Sequence, residues 1–227
     1  MTAQTMQIGN TPCRIYGGAN AEYLLLQMTG EHELQSMDYE VAAIAQSSQN
    51  FLFAAIPVES WNDALSPWKV PAVWGKQGFG GKAGETLRFL TEQVIPTLEQ
   101  QFPLPENVKI ILGGYSLAGL FALYALYQTD VFARAASMSG SFWFEGIMEY
   151  VCSHEMKRKP DCLYFSLGDK ESSTDNPILN VVQQNTQEIE TLCHGKGIET
   201  TFVLNSGSHY QACNKRTAAG IHWILNR

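Results

Sequence analysis

The chain has 227 residues, and 45% of them are hydrophobic, which is enough to bury a sizeable core in one domain spanning residues 1–227. The formal net charge of −7 and the lack of any basic cluster longer than Lys157-Arg158-Lys159 argue against nucleic acid as a partner. No apolar run approaches the roughly 20 residues of a membrane span, and the N-terminus does not resemble a signal peptide, so we expect a soluble protein without a membrane partner.

Strand-like and helix-like segments alternate along the chain, which predicts a largely parallel sheet with helices on both faces. In the first half, strands are predicted at Glu22–Met28 and Phe51–Pro57 and helices at Asp38–Ala45 and Ala83–Gln101. A loop rich in Trp, Pro and Gly runs over Glu59–Gly81. The sequence leaves open whether the Glu59–Gly81 loop moves as a lid.

The second half continues the alternation. Strands are predicted at Val108–Leu112, Ala133–Met138, Cys162–Leu167 and Thr200–Leu204. Helices are predicted at Leu117–Tyr127, Ile178–Cys193 and Lys215–Asn226. The helix that begins at Leu117 is apolar nearly all round, which is typical of a helix buried on most sides.

A sharp strand-to-helix turn is predicted at Gly114-Tyr115-Ser116-Leu117-Ala118. A serine in such a turn has its Oγ lifted clear of the sheet, and only small residues fit two positions before and after it. Here these are Gly114 and Ala118, where the usual pattern has Gly at both positions. The alternative interpretation is a helix N-cap serine after a glycine turn, but the flanking strand and helix favour Ser116 as a nucleophile.

An acid and a histidine follow the serine in the order that such hydrolases require. Glu171 lies just past the strand that ends at Leu167, with Asp169 and Asp175 as weaker candidates for the acid. His209 follows the last predicted strand and precedes the C-terminal helix, which places it at the same edge of the sheet as Ser116. We therefore predict that His209 is the general base and that one of these acids orients it.

With these parts in order, the chain resembles the putative esterase family that includes esterase D and the enterochelin esterases. The resemblance runs from about Glu22 to the end, and the most specific segments are Gly113–Phe121, Ser166–Glu171, Gly207–Tyr210 and Ser137–Trp143. It implies an α/β-hydrolase fold, which is a three-layer αβα sandwich around a mostly parallel sheet. It also implies a Ser–acid–His triad and no cofactor. Since the sequence shows no metal-ligand spacing, we expect no bound metal either.

Two features depart from this family. Its members usually show His-Gly at the end of the first core strand, where this chain has Gln27-Met28. The oxyanion hole is expected to combine the Leu117 N–H with a second N–H from around Met28 and Thr29, so this departure bears on its geometry. Little strand-forming sequence precedes Glu22 beyond Cys13–Tyr16, which predicts a sheet trimmed at the N-terminus.

The expected function is cleavage of a small or aromatic carboxylic ester through an acyl-enzyme on Ser116. Aromatic residues in loops either pack on one another or line an apolar cleft, and those considered for the substrate pocket are Trp61, Trp68, Trp74 and Trp143. The alternatives are an acyltransferase that uses the same acyl-enzyme, and a non-catalytic binding protein on a hydrolase scaffold. The identity of the ester or thioester and the oligomeric state stay open.

The five cysteines are an odd number and lack metal-ligand spacing. We interpret them as thiols in a reducing cytoplasm, which is the expected location of the protein. A bridge between Cys152 and Cys162 is the alternative.

Overall fold

A central eight-stranded sheet runs through the molecule in a computed structural model that describes residues 2–18, 20–46 and 50–227. Its strands are β1 (Gln4–Ile8), β2 (Thr11–Tyr16), β3 (Tyr23–Thr29), β4 (Phe51–Pro57), β7 (Lys109–Tyr115), β8 (Arg134–Met138), β9 (Cys162–Gly168) and β10 (Glu199–Asn205), while β5 (Lys69–Val70) and β6 (Phe79–Gly80) form a separate small hairpin. The sheet order is β1-β2-β4-β3-β7-β8-β9-β10. All neighbours from β4 to β10 are parallel, and β2 is antiparallel to both β1 and β4.

Helices cover both faces of this sheet. They are α1 (Glu31–Ala45), α2 (Trp61–Leu65), α3 (Ala83–Phe89), α4 (Ile95–Gln101), α5 (Leu117–Gln128), α6 (Ile147–Ser153), α7 (Val182–Gly195) and α8 (Cys213–Leu225), and a π-helical turn at Leu90–Val94 joins α3 to α4. One hydrophobic core lies between the sheet and the α1–α8 pair. A second, larger core lies under the remaining helices, so the predicted α/β-hydrolase architecture is confirmed.

Helix α5 lies against the middle of the sheet and fixes the turn that precedes it. Ten of its twelve residues are buried, the exceptions being Tyr124 and Gln128. This matches the all-round apolar pattern of its sequence, because a helix with core on nearly every side has no face for polar residues. The first turn of α5 is therefore held rigidly against β7 and β8.

The expected trimming of the sheet at the N-terminus is wrong. Residues 4–16 form the antiparallel hairpin β1–β2, which extends the sheet beyond β4. The signal was weak because β1 lies at the edge of the sheet, and its sequence Gln4-Thr5-Met6-Gln7-Ile8 is mostly polar, with only Ile8 fully buried.

Other predicted boundaries shift without changing the topology. Helix α1 begins at Glu31 rather than Asp38, and the predicted loop Glu59–Gly81 contains α2 and the β5–β6 hairpin. Helix α7 begins at Val182 rather than Ile178. In the described part of the chain, no helix is both long and apolar enough to cross a membrane.

Candidate active site

Ser116 lies in a strained turn between β7 and α5. Its backbone has φ 59° and ψ −123°, a conformation that a residue with a side chain adopts only at a cost. The turn is held by the Ser116 carbonyl, which accepts the N–H groups of Gly119 at 3.0 Å and Leu120 at 3.1 Å. Gly114 is required here because a Cβ at this position would lie 2.4 Å from the backbone of Ala118. The turn therefore projects the serine hydroxyl away from the sheet.

The serine, the histidine and one acid form a continuous hydrogen-bonded chain. Ser116 Oγ lies 3.0 Å from His209 Nε2, and His209 Nδ1 lies 2.7 Å from Glu171 Oε2. The three residues follow β7, β10 and β9, whose carboxyl ends meet at one edge of the parallel sheet. The order of the contacts matches a nucleophile, a general base and a group that orients the base.

Asp169 and Asp175 do not contact the histidine. Asp169 is exposed, and its Oδ1 accepts the Gly207 N–H at 2.7 Å, which ties the strand-end loops of β9 and β10 together. Asp175 is exposed in the segment between β9 and α7. Of the three acids considered from the sequence, Glu171 is therefore the one that the structure brings to His209.

The second carboxylate oxygen of Glu171 is held by three donors. Glu171 Oε1 accepts the Gly168 N–H at 2.7 Å, the Ser139 hydroxyl at 2.8 Å and Arg216 Nη1 at 3.1 Å. Burial raises the pKa of Glu171, but the hydrogen bond and charge of His209, with the Gly168 N–H and the Ser139 hydroxyl, outweigh it and hold the pKa below its usual range. The carboxylate is therefore ionised and fixed, with Oε2 left for the histidine.

Arg216 links the parts of this site and was not foreseen from the sequence. Its guanidinium is 3% exposed, contacts Glu171 and the Tyr115 hydroxyl through Nη1, and donates through Nη2 to the Ser206 carbonyl at 3.1 Å. Tyr115 in turn donates its O–H to the His209 carbonyl at 2.7 Å. The signal that could have identified it is helical spacing: Arg216 lies on the same stripe of α8 as Gly220 and Ile224, which face the sheet.

The predicted oxyanion donors lie in two different settings. Leu117 is the first residue of α5, so its N–H has no acceptor within the helix and lies at the positive end of the helix dipole. Met28 and Thr29 are the last two residues of β3 and are buried in the sheet. The Thr29 carbonyl accepts the Val58 N–H at 2.9 Å, which shows that the peptide groups of Thr29 face β4.

Two cavities meet at Ser116. The first, of about 310 Å³, is bounded by Trp74, Trp143, Leu179, Val182 and Tyr210 together with the Ser116, His209 and Glu171 side chains. The second, of about 480 Å³, shares Trp74 and Trp143 with the first and extends to Gly30, Glu33, Trp61 and Leu117. The rings of Trp74 and Trp143 are in edge contact, with centroids 5.2 Å apart, so they form a shared wall.

Three of the four tryptophans considered for the pocket border these cavities, and Trp68 does not. The Trp68 indole N–H donates to the Glu145 carbonyl at 2.9 Å, and its ring packs on Phe144 and Tyr150. Trp68 therefore joins the loop to the region of α6 and packs within the fold.

These features are those of an α/β-hydrolase: a serine in a strained strand-to-helix turn, beside a histidine and an acid, on a mostly parallel eight-stranded sheet. The model of the family described as "Putative esterase" matches residues 40–215, which is most of the chain. The chain belongs to this family and is a carboxylic ester hydrolase.

Solved structures share the fold over nearly the whole chain. An IroE-like serine hydrolase from Shewanella oneidensis aligns with a TM-score of 0.81 at 18% identity, covering 99% of this chain and 80% of its own. The siderophore hydrolase EstA from Aspergillus nidulans gives 0.73 at 19% identity, covering 99% and 94%. The enterobactin esterase FES from Shigella flexneri gives 0.75 at 15% identity, covering 100% of this chain and 60% of its own.

A curated relative is similar in sequence as well. The uncharacterized protein YbbA from Bacillus subtilis (strain 168) is 23% identical over 198 residues, which cover 83% of this chain and 78% of that protein.

Proposed function

We propose that the chain hydrolyses a small or aromatic carboxylic ester through an acyl-enzyme on Ser116, acting as one α/β-hydrolase domain. The observation that carries this proposal is the hydrogen-bonded chain from Ser116 Oγ through His209 to Glu171. The five free cysteines fit a reducing compartment, and we propose the cytoplasm as its location.

In the first half of the reaction, Ser116 Oγ attacks the ester carbonyl carbon while His209 Nε2 takes the hydroxyl proton. The carboxylate of Glu171 stabilises the imidazolium that forms. The tetrahedral intermediate then collapses, the alcohol leaves with the proton from His209, and the acyl group stays on Ser116. In the second half, His209 deprotonates a water that attacks the acyl carbon, and the acid is released as Ser116 regains its proton.

We propose the N–H groups of Leu117 and Gly30 as the oxyanion donors, the second of them just past the predicted Met28–Thr29 stretch. Peptide groups alternate sides along a strand. The Glu22 carbonyl accepts the Lys109 N–H from β7, whereas the Thr29 carbonyl accepts from Val58 beside β4. The even-numbered residues of β3 thus direct their backbone N–H and C=O groups toward β7. The backbone of Gly30 is still extended, at φ −81° and ψ 171°, and continues this pattern. Ser116 follows β7 directly, so the Gly30 N–H is directed to its side.

The two cavities support a substrate with an apolar group on each side of the ester. Both are walled by tryptophan rings, which favour flat aromatic or acyl groups. Among the structural neighbours, the enterobactin esterase from Shigella flexneri was solved in the presence of 2,3-di-hydroxy-N-benzoyl-glycine. This makes aromatic acyl esters the first class to test.

The experiment compares p-nitrophenyl acetate, butyrate and benzoate as substrates of the purified protein and of Ser116→Ala. We expect turnover by the native protein, a preference for one acyl group, and no turnover above background by the folded variant. Methanol is added in a parallel series, because accumulation of methyl ester in place of free acid would identify an acyltransferase. Equal turnover by Ser116→Ala would refute the proposal.

A further inference from the structure

The Gly30 N–H already has an acceptor within the protein. Gly30 is the N-cap of α1, and its N–H donates to Glu33 Oε2, three residues into the same helix. This contact is the reciprocal half of a capping box, in which a glutamate at the third helical position reaches back to the N-cap amide. The carboxylate of Glu33 also borders the second cavity, so it lies on the Ser116 side of the helix start.

The same amide thus has two roles that exclude each other. An oxyanion that forms on the Ser116 side needs the Gly30 N–H, and a carboxylate bound to that N–H both occupies it and places negative charge beside the developing one. No such conflict exists at Leu117, since the N-cap of α5 is Ser116 itself and gives no side-chain cap.

We propose that Glu33 is a lock on the oxyanion hole: its carboxylate competes with the tetrahedral intermediate for the Gly30 N–H, and the hole is complete only when Glu33 releases that amide. This inference rests on the proposed function. It makes Glu33 a positioning residue that acts through Gly30, and its presence lowers the rate of acylation.

The surroundings of Glu33 make release by protonation feasible. Burial raises the pKa of Glu33 above its usual range, although the Gly30 N–H, His209 and His32 act in the opposite direction. The charged and titratable groups that act on it are His209 from the loop before α8, together with His32 and Glu40 from α1 itself. A neutral carboxyl is a weaker acceptor, so the lock loosens as pH falls.

The test measures the second-order rate of Ser116 modification by a fluorophosphonate, which forms the same kind of tetrahedral centre without depending on the natural ester. Glu33→Ala frees the Gly30 amide, and we expect labelling about 10- to 100-fold faster than in the native protein. This factor corresponds to one charge-assisted hydrogen bond, which the native protein must break before the amide can bind the oxyanion. Glu33→Gln keeps the capping geometry with a neutral acceptor, so its rate is expected to fall between the two. Glu99→Ala removes an exposed carboxylate from α4, which borders neither cavity, and is the charge-matched control, with an unchanged rate.

A pH series separates this lock from a merely structural role. The ratio of the Glu33→Ala rate to the native rate is expected to fall toward one as pH is lowered and Glu33 becomes protonated. A rate for folded Glu33→Ala equal to or below the native rate overturns the inference. If that variant does not fold, Glu33→Gln decides by the same criterion.

Failure of the proposed function gives a different result. If neither the native protein nor any Glu33 variant is labelled above the Ser116→Ala background, the nucleophile itself is absent and the proposed function fails. Labelling of the native protein without acceleration in the Glu33 variants leaves the esterase proposal intact and removes the lock alone.

Discussion

Replacement of Arg216 by methionine tests how a buried ion pair positions Glu171, the acid that we propose orients His209. The guanidinium and the Glu171 carboxylate are 3% and 5% exposed and lie 3.1 Å apart. Removing one partner of a buried ion pair typically costs about 3–5 kcal/mol, because the other charge is left without compensation. In a protein of this size each kcal/mol corresponds to about 2–4 °C, so the melting temperature is expected to fall by about 6–20 °C.

The same substitution is expected to slow catalysis. Loss of the charge-assisted bond leaves Glu171 less well oriented, and we expect kcat/KM to fall by about 10- to 100-fold.

The assay is kcat/KM on the best p-nitrophenyl ester, with thermal melting of each variant. Arg216→Lys is the matched variant. It keeps the charge but cannot donate to both Glu171 and the Ser206 carbonyl, so kcat/KM is expected to recover only in part. A folded Arg216→Met protein with native kcat/KM would show that Arg216 stabilises the fold alone.

Three further outcomes follow from the site. Gly114→Ala places a Cβ 2.4 Å from the Ala118 backbone, and we expect it to lower the unfolding free energy by about 1–3 kcal/mol and to reduce activity. Denaturant unfolding and ester turnover measure the two effects, and native values of both would contradict the turn geometry. The pKa of Glu171 is lowered in the folded protein, so its ionised carboxylate stabilises the fold above pH 4.5, the usual pKa, and this stabilisation is lost as the pH falls through the folded-state pKa. The difference in unfolding free energy between the native protein and Glu171→Gln is therefore expected to shrink in acid, and a constant difference would contradict the lowered pKa. Trp143→Ala is expected to raise KM for aromatic esters, while Trp68→Phe leaves KM unchanged and lowers the melting temperature. The reverse pattern would show that Trp68, and not Trp143, contacts the substrate.

The fold and the family were predictable from the sequence because their signals are local. The apolar strands on either side of the Leu117 helix fix a parallel sheet, and small residues at Gly114 and Ala118 are demanded by steric contact in the turn. The order of serine, acid and histidine then follows from which loops lie at one edge of that sheet. Each of these signals can be read from a short segment of the chain.

The supporting contacts were not predictable, because they join residues far apart in the chain. Arg216 and Ser139 hold Glu171 from α8 and from just past the end of β8, and the sequence around neither residue indicates a contact with Glu171. Trp68 could not be distinguished from the cavity tryptophans, because the sequence predicts all of them to lie in loops, and only the tertiary structure shows which of them border the cavities. The direction of the Gly30 amide likewise depends on how β3 pairs with its two neighbours.

The most direct test of the central claim is to locate a covalent adduct. The purified protein is treated with a fluorophosphonate, digested and analysed by peptide mass spectrometry, with His209→Ala in parallel. An activated nucleophile predicts one adduct on Ser116 in the native protein and a greatly reduced adduct in the variant, because the histidine removes the hydroxyl proton. A folded native protein that stays unmodified, or that carries its adduct on another residue, would contradict the account.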